Sequence, residues 1–347
     1  MTTTGVLIPR RRLARIPQHL RLAHEYCYFL HDECARMLVE YEGARAHWVT
    51  VTFQDPSEAE ALEALAEEDS LTALRRAGYG DAARRIVLNT ITMGMVSDTL
   101  HHLFEALSCL EKRKSVVALN LLRKPLTDSL VYLSWVLGDE DGFYAAFTAG
   151  DPTVLAPSRL GNRRKEIVAQ ALARTRLGAY VDAEHVCETL FDARNGVGLY
   201  GLFQHAVHLV TVQRIELRTS PENFNFIFKD PSEDDIYEGL YAHLPYLLLY
   251  LAHVVLELYD RVKPMEDGAK TAFVVRSLFG ADLVHGDENA VSVCATLSET
   301  LAPHIRCPDC RAPLGVTVHN ACRLVFTENF RCTRCRRVQA LPFSWLF

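Results

Sequence analysis

Apolar residues recur at three- and four-residue intervals from about Pro17 to Pro303, the spacing that places them on one face of a helix. That periodicity predicts helices over roughly 18–45, 57–77, 81–112, 115–137, 139–148, 162–178, 181–193, 197–217, 233–262, 268–280 and 287–301. Their ends carry the expected punctuation. Asp55-Pro56-Ser57 precedes an acidic first turn, Asp230-Pro231-Ser232-Glu233 repeats the device, and Gly138-Asp139 stops one helix where Asp139 can cap the next. The segment His47–Phe53 is the one strand-like piece before residue 304, and Gly315–Val318 and Leu324–Phe326 read as strands beyond it. Two long connections stand out, 149–162 and 218–235. The second carries Phe224, Phe226, Ile227 and Phe228, which either fold back onto the helices or meet a ligand. The expected fold is mainly α: a multi-helix bundle over 15–303, followed by a small C-terminal β module over 304–347.

Cysteine spacing gives that module its chemistry. Cys307-Pro-Asp-Cys310 and Cys332-Thr-Arg-Cys335 form two CxxC pairs separated by 21 residues. Each pair wraps a tight knuckle that aims two thiolates at one point, and two knuckles complete the tetrahedron Zn²⁺ prefers, so the four cysteines are the expected ligands of a structural zinc ribbon. Ribbons serve nucleic-acid binding, protein docking and structural capping alike, so the motif names a metal and leaves the function open. The other six of the ten cysteines have no framework spacing, which suits a reducing, cytoplasmic compartment. Cys322 reads as a packed thiol.

Charge divides the chain unevenly. Residues 304–347 hold seven arginines against Asp309 and Glu328, a net +5, which leaves −11 for residues 1–303 given a whole-chain charge of −6. A polyanion would therefore dock on the ribbon, with Arg331, Arg334, Arg336 and Arg337 as the expected RNA or DNA contacts. A solvated face on a module too small to bury charge is the plainer alternative. The apolar end, Leu341–Phe347, must find cover, on the helical body or on a partner protein or second copy of the chain. The run Leu244–Leu258 is interrupted by Pro245, His253 and Glu257 and reads as a buried core helix rather than a membrane span. The N-terminus has a basic cluster but no apolar stretch of signal-peptide length.

The stretch Ser115–Phe147, with Lys124-Pro125-Leu126-Thr127-Asp128 ahead of an apolar helix, resembles the long helix of a group of bacterial helical proteins near the HEPN and abortive-infection domains, where Arg-Pro-Leu-Leu-Glu occupies that place. Tyr200-Gly-Leu-Phe-Gln-His205-Ala-Val-His208 is similar to a later tyrosine-then-histidine element of the same group. The likeness covers about 90–260 and implies a nucleic-acid-associated protein of phage-defence type. RNA-cutting members of the broader class use Arg-x(4–6)-His. The match here, Arg12 to His19, contains Pro17, and chance alone supplies about three or four such matches in a chain of this composition. Lys124 and Asp128, four apart, can pair on a helix surface, or they can meet His205 or His208 in a polar focus inside the bundle. These four are the candidates for any ribonuclease-like catalysis. The three Asp-x-x-His pairs (Asp98/His101, Asp182/His185, Asp282/His285) lie within chance for a di-metal site. There is no Walker A, GxGxxG or GxSxG motif. The competing function is a non-catalytic scaffold in which the ribbon and its LPFSWLF tail form the interface.

Overall fold

Helix boundaries in the computed structural model follow the local chemistry of the chain. It describes residues 4–53, 55–65, 69–211, 218–225, 234–285 and 287–346. The elements are α1 (Arg10–Leu13), α2 (Arg21–Gly43), α3 (Pro56–Glu63), α4 (Ser70–Arg76), α5 (Gly80–Leu110), α6 (Ser115–Lys124), α7 (Leu130–Gly138), α8 (Glu140–Thr148), α9 (Pro157–Leu160), α10 (Arg163–Leu172), α11 (Ala183–Phe191), α12 (Leu199–Val207), α13 (Asp235–Tyr241), α14 (Leu244–Val262), α15 (Asp267–His285), α16 (Asp287–Leu301) and α17 (Val318–Thr327), with a single antiparallel hairpin, β1 (Asn329–Arg331) and β2 (Val338–Ala340). Asp55 accepts the Ser57 amide at 2.7 Å, Asp139 the Gly142 amide at 2.9 Å and Asp182 the His185 amide at 2.9 Å, so the Asp182/His185 pair is a helix cap.

Pro125 shapes the long helix 115–138. Its ring carries no N–H, and the ladder slips by one residue into a π-turn over Pro125–Ser129 before α7 resumes. The Thr127 hydroxyl donates to the Arg123 carbonyl at 2.8 Å and occupies an acceptor at the slip. The core is organised around α14, whose side chains are buried on almost every face. It packs on α2, α7 and α15, while α2 also meets α5 and α7 meets α10. The stretch Asp235–Val262 has the length and apolarity to cross a bilayer, and 78 % of its apolar window is buried inside this protein, as a core helix requires.

Several expectations are corrected. His47–Phe53 forms no strand; Trp48 stands 62 % exposed with the Arg45 guanidinium over its ring. The helix expected over 57–77 is two, α3 and α4. The 233–262 helix breaks at Ala242–His243, ahead of Pro245 in the first turn of α14, where proline is tolerated because the first amides have no partner. Residues 212–217 and 226–233, which include Phe226, Ile227, Phe228 and the Asp230–Glu233 cap, lie outside the described residues.

The largest correction is C-terminal. The strands expected over Gly315–Val318 and Leu324–Phe326 do not form: 315–317 lies in no strand and Val318–Thr327 is helical, with Ala321, Cys322, Leu324, Val325 and Phe326 on a buried face that α15 and α16 cover. Phe326 stacks on Phe29 of α2 at 5.3 Å between ring centres. Gly280 makes that approach feasible, since a Cβ there would lie 2.6 Å from the Tyr26 ring. Arg276, 5 % exposed, fixes the joint: its Nε donates to the Val325 carbonyl at 2.7 Å, and its Nη1 meets Glu33 at 3.0 Å and Glu328 at 3.5 Å. Phe343 folds back beside α15, its amide donating to the Glu328 carboxylate at 2.8 Å, and Leu341 is buried with its amide on the Glu328 carbonyl at 2.7 Å.

Candidate metal centre and a buried charge cluster

Two knuckles with the same backbone design hold the four cysteines. In the first, the Arg311 amide donates to the Cys307 carbonyl at 2.9 Å; in the second, the Arg336 amide donates to the Cys332 carbonyl at 3.1 Å. The residue after the second cysteine adopts a left-handed conformation in both, Arg311 at φ 59° and Arg336 at φ 64°. That conformation normally favours glycine. A bridge between Arg306 and Pro313 closes the first knuckle, and the β1–β2 hairpin, with Arg331 opposite Val338, closes the second.

The four sulfurs lie within 4.8 Å of one another, with Cys307–Cys335 at 3.7 Å and Cys310–Cys332 at 3.6 Å. A tetrahedron with metal–sulfur bonds of about 2.3 Å has sulfur–sulfur edges of about 3.8 Å, so the cluster could hold a metal ion and its donor set and size are compatible with zinc. The Cys335 and Arg334 amides pull the Cys332 thiol down, to about 6. Cys335 moves the other way, to about 12: an Arg337 amide lowers it, but burial and bonds to the three other sulfurs raise it. The two shifts oppose each other because the thiols compete for one negative charge. A divalent cation removes that competition and favours thiolate at all four.

Asn320 locks the knuckles together from α17. Buried, it donates to the Gly315 carbonyl at 2.8 Å and the Arg331 carbonyl at 3.2 Å and accepts the Thr317 amide at 2.8 Å. Its box with Thr317 also starts the helix. The box was present in the sequence as Thr317-x-x-Asn320, masked by the β-branched residues around it.

Around the knuckles, Arg306, Arg311, Arg331, Arg334, Arg336 and Arg337 are all exposed. Arg337 pairs with Asp309 at 2.8 Å while staying 70 % exposed, and Arg331 Nε donates to the Arg336 carbonyl at 3.3 Å.

The other candidates do not assemble into a polar focus. Lys124 is exposed and its ammonium meets Asp98 at 2.8 Å, not Asp128, which accepts from the Thr127 hydroxyl at 3.1 Å. The π-turn between the two residues changes the helical register that a four-residue spacing assumes. His208 is exposed just past α12, with its carbonyl bonded to Asn225, and His205 is half-buried on α12.

The polar focus is elsewhere. Glu111, at the end of α5, accepts from Arg12 Nε and Nη2, both at 2.6 Å, and from the Tyr28 hydroxyl at 2.9 Å. His24, fully buried, reaches the same carboxylate at 3.5 Å through Nε2 and bonds the Tyr241 hydroxyl through Nδ1. Burial alone would raise the Glu111 carboxyl, but the His24, Arg12 and Tyr28 donors outweigh it and bring it from 4.5 to about 2. Burial lowers the His24 pKa and favours the neutral ring. Next to His24 on α2, the buried Glu25 carboxylate accepts the amides of Gly5, Val6, Leu7 and Ile8 at 2.7 to 3.2 Å. Gly5, at φ 78°, permits the turn that wraps these amides around it. The signal in the sequence was acid and base inside an otherwise apolar helix pattern, with partners too distant to pair by spacing.

Comparison with known protein families, with curated proteins and with solved structures gives no match.

Proposed function

We propose that this chain is a nucleic-acid-binding helical protein whose C-terminal segment, about 304–347, is a zinc-stapled ribbon-like module on a helical body of about 15–303, and that the knuckle arginines grip RNA or DNA phosphates. The observation that carries the reading is the placement of those arginines. Arg311 and Arg336 each follow the second cysteine of a knuckle in the same left-handed conformation, so Arg306, Arg311, Arg331, Arg334 and Arg336 radiate from one four-sulfur core. Guanidinium groups match phosphate with two parallel donors, and the rest of the chain, at −11, would repel the same polyanion. The bacterial defence assignment belongs to this reading and rests on the resemblance of 115–147 and 200–208 to the HEPN and abortive-infection group.

Binding rather than cleavage is the activity proposed. Lys124, Asp128 and His208 occupy separate surface positions, and the chain's true acid–base cluster is buried in its own hydrogen bonds. The scaffold alternative ranks second: Phe343 of the tail is buried beside α15 and Leu341 is buried as well, while the side chains of Trp345–Phe347 lie outside the described residues.

The test is a salt titration of the metal-loaded protein against labelled RNA and DNA, on a gel that also reports cleavage. Arg311→Glu/Arg334→Glu/Arg336→Glu should weaken binding and flatten the log K against log salt slope by about 0.7 to 0.9 per lost contact. Unchanged affinity and slope would refute the reading, and shortened probe would replace binding with nuclease action.

A further inference from the structure

Arg12 and Glu111 join two basic turns that lie 99 residues apart in the chain. The first, Arg10-Arg11-Arg12-Leu13-Ala14-Arg15, spans α1. The second, Lys112-Arg113-Lys114, connects α5 to α6 immediately after Glu111. A central arginine pins each turn. Arg12 holds Glu111 through two bonds, and Arg113 holds Asp234 through Nη1 and Nη2, both at 2.7 Å, with its guanidinium over the Tyr237 ring at 4.7 Å. The neighbouring Glu238 is paired with His19 at 2.6 Å. The carboxylates that these turns meet are thus each already matched by a base. Arg10, Arg11, Arg15, Lys112 and Lys114 are left exposed, and none of the five forms an ion pair among the described residues.

We infer that these five cations form a second phosphate-binding face, separate from the knuckles, that takes the backbone of a nucleic acid. Both turns are anchored before any ligand arrives, so binding orders side chains but not backbone, which limits its entropic cost. The apolar residues of the N-terminal segment, Ile8, Leu13 and Ile16, are each 3 % exposed or less. That segment therefore offers cations without an apolar edge to insert, which suits a phosphodiester chain better than a lipid surface. Five unpaired cations in a chain of net charge −6 are a local excess that the overall balance conceals. The choice of nucleic acid as the polyanion rests on the reading of the knuckles; the existence of the cationic face does not.

The experiment compares two full-length, metal-loaded variants with the parent on the same labelled DNA duplex and RNA strand across a salt series. One carries Arg10→Gln, Arg11→Gln, Arg15→Gln, Lys112→Gln and Lys114→Gln; the other carries the knuckle substitutions Arg311→Glu, Arg334→Glu and Arg336→Glu. Circular dichroism and thermal melting confirm that the first still folds, as expected for exposed, unpaired positions. We expect that variant to lose about 10-fold or more in affinity near 0.1 M salt and its slope to fall by about 0.9 for each contact made to duplex. An unchanged slope in the first variant with a loss in the second would overturn this inference and leave the knuckle reading standing. A loss in the first with no change in the second would do the reverse. Failure of the parent to bind nucleic acid, with binding to phosphatidylserine vesicles that the glutamine variant abolishes, would refute the nucleic-acid assignment of both faces.

Discussion

At Glu111, Arg12 and Tyr28 converge as donors on one carboxylate, and the charge is balanced by the chain itself; at the knuckles, four cysteine sulfurs converge on a common point, and as thiolates they would need a cation from outside for balance. The two regions are built differently to match. Glu111 sits at the end of a 31-residue helix beside α2, in the continuous core, and its partners stay in place whatever the solution contains. The knuckles consist of two tight turns, a hairpin of two three-residue strands and one isolated bridge, little apolar surface with which to hold four sulfurs together. What ties them to the body is α17, which Arg276 of α15 clamps. A self-balanced cluster is part of the fold, whereas the proposed zinc cluster would make part of the fold conditional on its ligand.

Breaking the conditional region should have the larger effect. Cys332→Ser, or removal of metal by a strong chelator, should cost on the order of 10 kcal/mol of local stability, the scale of metal-coupled folding in small thiolate sites. Hydrogen exchange should show the Cys307, Arg311, Cys332 and Arg336 amides losing protection while α5 and α14 keep theirs. Loss of protection throughout the bundle would mean that the two regions are not separable.

Breaking the self-balanced region should cost less. Glu111→Gln leaves Arg12 without its anion and, because the Arg12 side chain is 37 % exposed and partly screened by solvent, should destabilise the chain by about 1–3 kcal/mol in denaturant unfolding. The pH dependence has a definite sign. Because the folded carboxyl lies at about 2, below its ordinary 4.5, its contribution is complete above about 4.5 and drains away as pH falls toward 2. The parent should therefore lose stability in that window more steeply than Glu111→Gln. Parallel pH profiles would show that the Arg12–Glu111 pair contributes nothing net.

The smallest change sharpens the comparison. Arg336→Gly relieves a left-handed non-glycine residue at φ 64° and should stabilise the second knuckle by about 1 kcal/mol, read as slower metal loss to a chelator. Faster loss would show that the Arg336 side chain supports the knuckle in a way the backbone does not reveal.

Legibility in the sequence followed the same division. Long helices with apolar stripes, such as α2, α5 and the 115–138 pair, and the Asp caps of α3 and α8 were readable because short-range chemistry determines them. The four cysteines were readable for the same reason, since a CxxC turn is local. Val318–Phe326 was misread because Val318, Val325 and Phe326 favour strands in isolation, while the Thr317–Asn320 box and burial against α15 decide for helix. The Arg12–Glu111 and Arg276–Glu33 pairs were illegible because tertiary structure alone brings such distant residues together. Lys124 and Asp128 misled in the opposite direction: their spacing promised a pair that the Pro125 π-turn does not deliver.

The most direct test of the account is the metal content of the chain purified without added metal or chelator, measured by native mass spectrometry beside alkylation of its thiols. The account predicts one zinc ion per chain, with Cys307, Cys310, Cys332 and Cys335 protected together and both metal and protection lost in Cys332→Ser. A metal-free chain whose four thiols react singly, or a Cys332→Ser chain that keeps its zinc undiminished, would contradict it.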